Sequence, residues 1–189
     1  MYRTDVKSYY SSIDRHILHD KVAAHIRDRD CLNLLWQYLT LSVETGGTFR
    51  DAPAGLRPGG APSPVLAAFY LHDLDQDLCR QRGIFYRRYM DDLIIIAPTR
   101  WALRRAIATV QRHFAALGLV SHPDKTVIRR LGQGLLARSI DFLGYLITQT
   151  DVRLSPESLR RHHERPAGFM SSVNPVSDVL RGHLQAGKP

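Results

Sequence analysis

The chain has 189 residues and a mass of 21.5 kDa, which suits one compact domain, or a domain with a tail, and excludes two full-sized ones. Hydrophobic residues make up 44% and charged residues 23%, a balance that supports a core and excludes a wholly disordered or collagen-like chain. Lys and Arg number 26 against 18 Asp and Glu, a net charge of +8, and that excess favours a polyanionic partner such as nucleic acid.

The longest unbroken apolar run, Val65 to Leu71, is far shorter than the roughly 20 residues of a membrane span. The opening Arg3 and Asp5 stand where a signal peptide would be apolar. Cys31 and Cys79 lack the paired spacing of a zinc site, so a reduced, cytoplasmic chain with both thiols in its core is expected.

Tyr2 to Tyr10 alternates roughly and predicts a strand, and Ser12 and Asp14 offer helix caps before Ile17, Leu18, Val22 and Ile26. Leu32, Leu35, Trp36, Leu39 and Val43 mark a second helix that Gly46-Gly47 would end. A turn-rich stretch from Gly55 to Pro64 precedes Leu66, Tyr70, Leu74 and Leu78, whose steps of four predict one helix reaching Arg82. Phe85 to Ala97 is β-prone on both sides of Asp91-Asp92 and reads as a hairpin with acids at its tip. Thr99 can cap a helix with Leu103, Ile107, Val110, Phe114 and Leu117 inward, leaving Arg104, Arg105 and Arg112 off that stripe. Strand-like stretches follow at Lys125 to Leu131 and Ile140 to Thr148. Residues 1–150 are thus expected to form the core and 151–189 a tail, with one short helix from Ser155 to Glu164 and poor order beyond Pro166. One antiparallel sheet with helices on one face is an α+β architecture.

Two adjacent acids converge on one site only where a strand turns, and carboxylates set among Tyr89-Met90 and Leu93 to Ile96 are costly without a compensating cation. Asp5, in the first strand, can join them if strand and hairpin are neighbours. Three hard oxygen donors suit Mg²⁺, which commonly bridges substrate phosphates. Spacing alone leaves open a turn acid pair with a separate surface aspartate. Between Thr99 and Arg138 eight cations oppose one anion, Asp124, which suits phosphate contact or a solvated helix face. His16 and His19 lie three apart on a helix but have no evident third metal ligand.

At this point the sequence resembles a reverse transcriptase. Tyr89-Met90-Asp91-Asp92 is similar to the polymerase-palm signature, and Thr4-Asp5-Val6-Lys7-Ser8-Tyr9-Tyr10 to the first palm motif. The block Gly55-Leu56-Arg57-Pro58-Gly59-Gly60-Ala61-Pro62-Ser63-Pro64 resembles the Gly-rich stretch before the palm helix. Leu117 to Thr126 and Phe142-Leu143-Gly144-Tyr145 resemble two later motifs. The five blocks run in the family's order over about residues 1–148, in a style nearest to bacterial group II intron-like enzymes.

The resemblance implies a polymerase palm that makes DNA on an RNA template, with a DNA or RNA primer and dNTPs as partners. Asp5, Asp91 and Asp92 would form the metal site for two Mg²⁺ ions, with Mn²⁺ a possible substitute, and Lys125 would serve the pyrophosphate leaving group. Tyr10 would be the steric gate against ribonucleotides, and Gly59, Gly60 and Ser63 would border the incoming nucleotide. Arg104 and Arg105 would hold phosphates, and Phe142, Leu143, Gly144 and Tyr145 would grip the primer. Where many relatives have glutamine this chain has Pro58, which lacks both the amide and a backbone donor. The first motif starts at residue 5, where the family has a fingers region before it, and 151–189 would be a reduced thumb. The expectation is therefore a palm that is inactive or weak alone, its fingers supplied by another segment or chain. The alternative is a non-catalytic nucleic-acid-binding remnant.

Overall fold

The computed structural model describes residues 1–41, 43–45, 47–50, 54–130, 139–148 and 151–163. Strand β1 (Tyr2–Asp5) leads into a four-residue helix α1 (Tyr9–Ser12), then α2 (Arg15–Ala23) and α3 (Arg29–Thr40). A small hairpin, β2 (Val43–Thr45) and β3 (Thr48–Arg50), precedes α4 (Ser63–Tyr70) and α5 (His72–Cys79). The antiparallel hairpin of β4 (Phe85–Tyr89) and β5 (Asp92–Ile96) is followed by α6 (Arg100–Ala116), a 3₁₀ turn at Pro123–Lys125 and β6 (Val127–Ile128). β7 (Ile140–Phe142), β8 (Tyr145–Ile147) and β9 (Val152–Leu154) form an antiparallel sheet of their own, ahead of α7 (Pro156–His163). The chain divides into two units, Tyr2–Val127 on one side and Met1 with the residues from Ile128 on the other.

In the first unit β1 pairs antiparallel with β5, giving the order β4-β5-β1. Strand side chains alternate between faces, and the register separates two populations. Tyr2, Tyr86, Leu93 and Ile95 join the helical core, along with Leu18, Tyr70, Leu74, Leu78, Leu103, Val110 and Phe114. Arg3, Asp5, Arg87, Tyr89, Asp92 and Ile94 fall on the other face, Asp5 directly opposite Asp92. This is the expected α+β arrangement, an antiparallel sheet flanked by helices.

Local chemistry sets most helix starts. Asp14 accepts hydrogen bonds from the His16 and Ile17 amides, Asp28 from Cys31 and Thr99 from Ala102, the side-chain caps that satisfy orphan donors. Elsewhere the structure departs from the sequence expectations. The first strand ends at Asp5 because Ser8 turns left-handed (φ 51°), which sends Tyr9 inward to donate to the Ala67 carbonyl at 2.5 Å. The second helix stops at Thr40, Val43 belongs to a strand, and Gly47 (φ 80°) serves a hairpin turn instead of a helix end. The long helix through Leu66 and Leu78 is two, interrupted at a fully buried Leu71 with no proline or glycine to announce the break. Both cysteines are exposed, not core, since Leu74 and Leu78 take the inner side of α5 and leave Cys79 outside. The poorly ordered stretch expected beyond Pro166 lies outside the described residues.

Gly55 shows why the Gly-rich block docks where it does. Its φ is +84°, and a Cβ there would stand 2.7 Å from both Ser11 Cα and the Tyr10 carbonyl oxygen. That carbonyl accepts from the Leu56 amide at 2.7 Å, while Arg15 Nε donates to the Gly55 carbonyl at 2.8 Å. Gly83 has a similar φ of +77° and open space around it. Gly83→Ala should cost about 1 kcal/mol, the backbone penalty alone, whereas Gly55→Ala should cost roughly 3 kcal/mol because backbone atoms must also separate. Urea unfolding of both variants checks this, and equal losses would contradict the close approach.

Candidate active site

The site is built by β1 and the β4–β5 hairpin. Met90 and Asp91 form the hairpin tip, with Met90 held at φ 54°, a conformation uncommon for a residue other than glycine. The Asp91 carbonyl accepts from the Val6 amide at 3.3 Å, which fixes the tip against the end of β1. Asp5 is only 3% exposed. One of its oxygens, Oδ2, accepts from Lys125 Nζ in the 3₁₀ turn, and the other, Oδ1, is buried without a hydrogen-bond donor.

Asp91 responds to this setting. Its carboxyl is pushed up to about 6 by burial first, then by hydrogen bonding with Asp5 and by the nearby charges of Asp5 and Asp92. Two carboxylates that share a site resist ionising together. A proton on Asp91 or a bound cation would each offset that repulsion. Lys125 is raised from its ordinary value, chiefly by its hydrogen bond to Asp5. Asp92 faces the same way as Asp5 and is paired with Arg3 at 3.3 Å.

Among the described residues no group of three or more His, Cys, Asp and Glu side chains forms a ready-made metal cage. The donor set nonetheless fits Mg²⁺, which often takes only one or two protein carboxylates and completes its shell with water and substrate phosphate. The orphaned buried Oδ1 of Asp5 is the observation on which that fit rests.

The other sequence-predicted residues are more scattered. Tyr10 is half-buried, packed on the core and edge-on to Tyr9 at 6.0 Å between ring centroids. Gly59 is exposed, and Gly60 passes so near Tyr38 that a Cβ would lie 1.9 Å from its hydroxyl. Ser63 is fully buried, its hydroxyl donating to the Arg57 carbonyl and meeting the Tyr38 hydroxyl, both at 2.6 Å. Here Ser63 holds the Gly-rich turn together, and a cleft of about 160 Å³ opens beside it between Ser11, Arg15, Tyr38, Gly55 and Pro58. Arg104 and Arg105 project outward from α6, whose inner side packs on the helical face of the sheet, not the face of Asp5. Phe142 to Tyr145 form the β7–β8 hairpin of the second unit, with Leu143 at φ 52° and Gly144 at φ 80°. His16 and His19 both pack on Trp36, with centroids 4.9 and 5.4 Å away.

Sequence reasoning missed Arg88. On the helical face of β4 it donates through Nε to Asp75 at 2.8 Å, through Nη1 to the Met90 carbonyl at 2.8 Å and through Nη2 to the Ala68 carbonyl at 3.1 Å. Tyr86 donates to the same Asp75 at 2.6 Å. Arg88 is thus a positioning residue that ties the hairpin tip to α4 and α5. The available signal was the alternation of β4, which puts Arg88 on the same side as buried Tyr86 and so demands a buried acid.

Paired carboxylates where a strand meets a hairpin, on an antiparallel sheet backed by helices, define a polymerase-palm-like fold. The chain belongs to the reverse transcriptase (RNA-dependent DNA polymerase) family, whose model matches residues 1–147. It is 27% identical to Protein YkfC of Escherichia coli (strain K12), an alignment covering 79% of this chain and 47% of that protein, so the chain spans about half the length of this curated relative. Among solved structures it is similar to Candida tropicalis telomerase in complex with a fragment of telomeric RNA, with a TM-score of 0.66 at 14% identity, covering 96% of this chain and 33% of that one. It is also similar to a foamy viral protease–reverse transcriptase in complex with an RNA/DNA hybrid, with a TM-score of 0.56 at 18% identity, covering 97% of this chain and 20% of that one. At these identities the structural likeness is one of fold.

The raised Asp91 carboxyl has a definite consequence for stability. Because the folded state holds this proton more tightly than the unfolded chain, its contribution is present below the ordinary carboxylate value and is lost as pH rises through about 6. Asp91→Asn removes that loss. Relative to the parent, the metal-free variant should gain about 1 kcal/mol between pH 4 and 7.5, a figure already reduced for the group's partial exposure. Urea unfolding of both proteins across that range tests it, and parallel pH profiles would contradict the shared-proton site.

Proposed function

We propose that this chain carries the palm of an RNA-directed DNA polymerase of the bacterial, group II intron-like type. Residues 1–150 are read as the palm and 151–189 as a thumb-like extension, with the fingers supplied by a further segment or chain. The observation that carries the reading is the Asp5–Asp91 pair, two carboxylates pressed together with one buried oxygen lacking a donor. The bacterial relative and the run of motifs support the type. The RNA/DNA hybrid in the foamy viral structure supports the proposed partners, an RNA template and a DNA or RNA primer.

In this reading Asp5 and Asp91 hold two Mg²⁺ ions, and Asp92 adds negative potential from the same face. When bound, the ions lower the pKa of the primer 3′-hydroxyl and stabilise the charge that builds during in-line displacement. Asp91 is ready as an anion above about pH 6. Lys125, half-exposed and paired with Asp5, is the cation the site keeps for the leaving pyrophosphate. Tyr10 bounds the sugar side of the incoming nucleotide, and Phe142 to Tyr145 grip the primer. Among the described residues no helix is long and apolar enough to cross a membrane, and two exposed unpaired thiols suit a reducing cytoplasm.

Joined to segments that fill out the length of its relatives, the protein should extend a primer on an RNA template with dNTPs and Mg²⁺. Asp91→Asn should lower the rate by roughly 10³-fold, about 4 kcal/mol, because an amide cannot act as an anionic metal ligand. An unchanged rate in Asp91→Asn would overturn the metal assignment. Absence of extension by the completed parent, with nucleic-acid binding retained, would favour a non-catalytic remnant.

A further inference from the structure

The outward side of α6 carries Arg100, Trp101, Arg104 and Arg105 within its first two turns, while Leu103, Ala106 and Val110 face the core. Trp101 is 79% exposed, the most exposed large hydrophobic side chain among the described residues. The Arg104 guanidinium lies over its ring, 5.6 Å from the centroid. Arg100, Arg104 and Arg105 have no carboxylate partner among the described residues. Other cations of the chain do have carboxylate partners, since Lys21 meets Asp73, Arg88 meets Asp75, Arg80 and Arg112 meet Asp77, and Arg153 meets Asp151.

This pattern opposes local preference. The first turn of a helix favours acids, because its dipole presents positive charge there. α6 has no acid in its first turn and begins with an arginine. The indole, which is not part of the hydrophobic core, is left largely in water beside three guanidinium groups that lack a carboxylate partner among the described residues. A local rule broken without compensation inside the protein points to compensation from outside.

We propose that this face of α6 binds single-stranded nucleic acid, with a base stacked on Trp101 and the flanking phosphates on Arg100, Arg104 and Arg105. Aromatic platforms bordered by cations are how unpaired strands are held. A duplex would use the arginines and leave the indole idle, because its bases are already stacked on one another. An acidic peptide would satisfy the charges but has no flat group for the ring. The carboxylates lie on the sheet face away from the helical core that α6 joins. This is therefore a second contact, separate from any duplex at Asp5 and Asp91, and it does not rest on the catalytic reading.

The test uses Trp101 as its own reporter, with a 12-nucleotide single-stranded RNA, the same sequence as single-stranded DNA and as duplex RNA, and poly-glutamate as probes. Single strands of either sugar should quench tryptophan fluorescence, and Trp101→Ala should abolish the quench and weaken single-strand affinity by about 10-fold while leaving duplex affinity unchanged. Arg104→Ala with Arg105→Ala should reduce the slope of log affinity against log salt by about 1.4, the value for two phosphates on a single strand. Both variants change exposed side chains, and an unchanged urea midpoint verifies their folding. The proposal is overturned if Trp101→Ala binds single strands as tightly as the parent, or if poly-glutamate quenches Trp101 as strongly as RNA does. Primer extension is not the readout, so failure of the catalytic reading would leave this result intact.

Discussion

The antiparallel register of β1 on β5 sets Asp5 opposite Asp92 and brings the hairpin tip, with Asp91, onto the end of β1. The chemistry of this site depends on this crowding of like charge. Near-buried carboxylates repel one another and lose hydration, so an empty arrangement is unfavourable by itself. The protein meets the problem with cations already attached to the fold. Lys125 bonds one oxygen of Asp5, Arg3 pairs with Asp92, and the Asp91 carboxyl is raised to about 6, so that it gives up its proton later than an ordinary carboxyl. A divalent ion would relieve the same repulsion, and the metal site proposed above rests on that.

Such a site requires a rigid support, and the helical side of the sheet provides it. Arg88 passes from β4 to Asp75 on α5 and to the carbonyls of Ala68 and Met90. The strained Met90 is thereby tied to two helices whose Tyr70, Leu74 and Leu78 are fully buried. A buried arginine with its partners in place holds geometry well, though its net contribution to stability is small after desolvation. The two faces of one hairpin thus divide the labour, with charge presented on one side and position fixed on the other.

Much of this was legible in the sequence where the cause is local. Asp14 and Thr99 cap the helices they precede, the β4–β5 hairpin lies where β-formers flank Asp91-Asp92, and the stripe of Leu103, Val110 and Phe114 marks the buried side of α6. What escaped is non-local. Nothing near Leu71 signals a break, and nothing near Gly55 reveals that the Tyr10 backbone passes within reach. Arg88 and Asp75 are 13 positions apart on different elements, so no periodicity links them. The thiols were misplaced because Cys is usually a buried residue, whereas here each sits just outside a helix's apolar stripe. Asp5 and Asp91 could be joined from sequence only through the family's motif order, since they stand 86 positions apart before the sheet register brings them together.

The central claim is that Asp5 and Asp91 constitute one cation-binding unit. Thermal unfolding with increasing Mg²⁺ tests it most directly, because a ligand of the native state raises the midpoint as its concentration passes Kd. At pH 7.5 the midpoint should climb with Mg²⁺ in the parent and stay flat in Asp5→Asn, and at pH 5, where Asp91 keeps its proton, the parent's climb should shrink. A parent midpoint indifferent to Mg²⁺ at pH 7.5, or a climb that survives Asp5→Asn, would contradict the account.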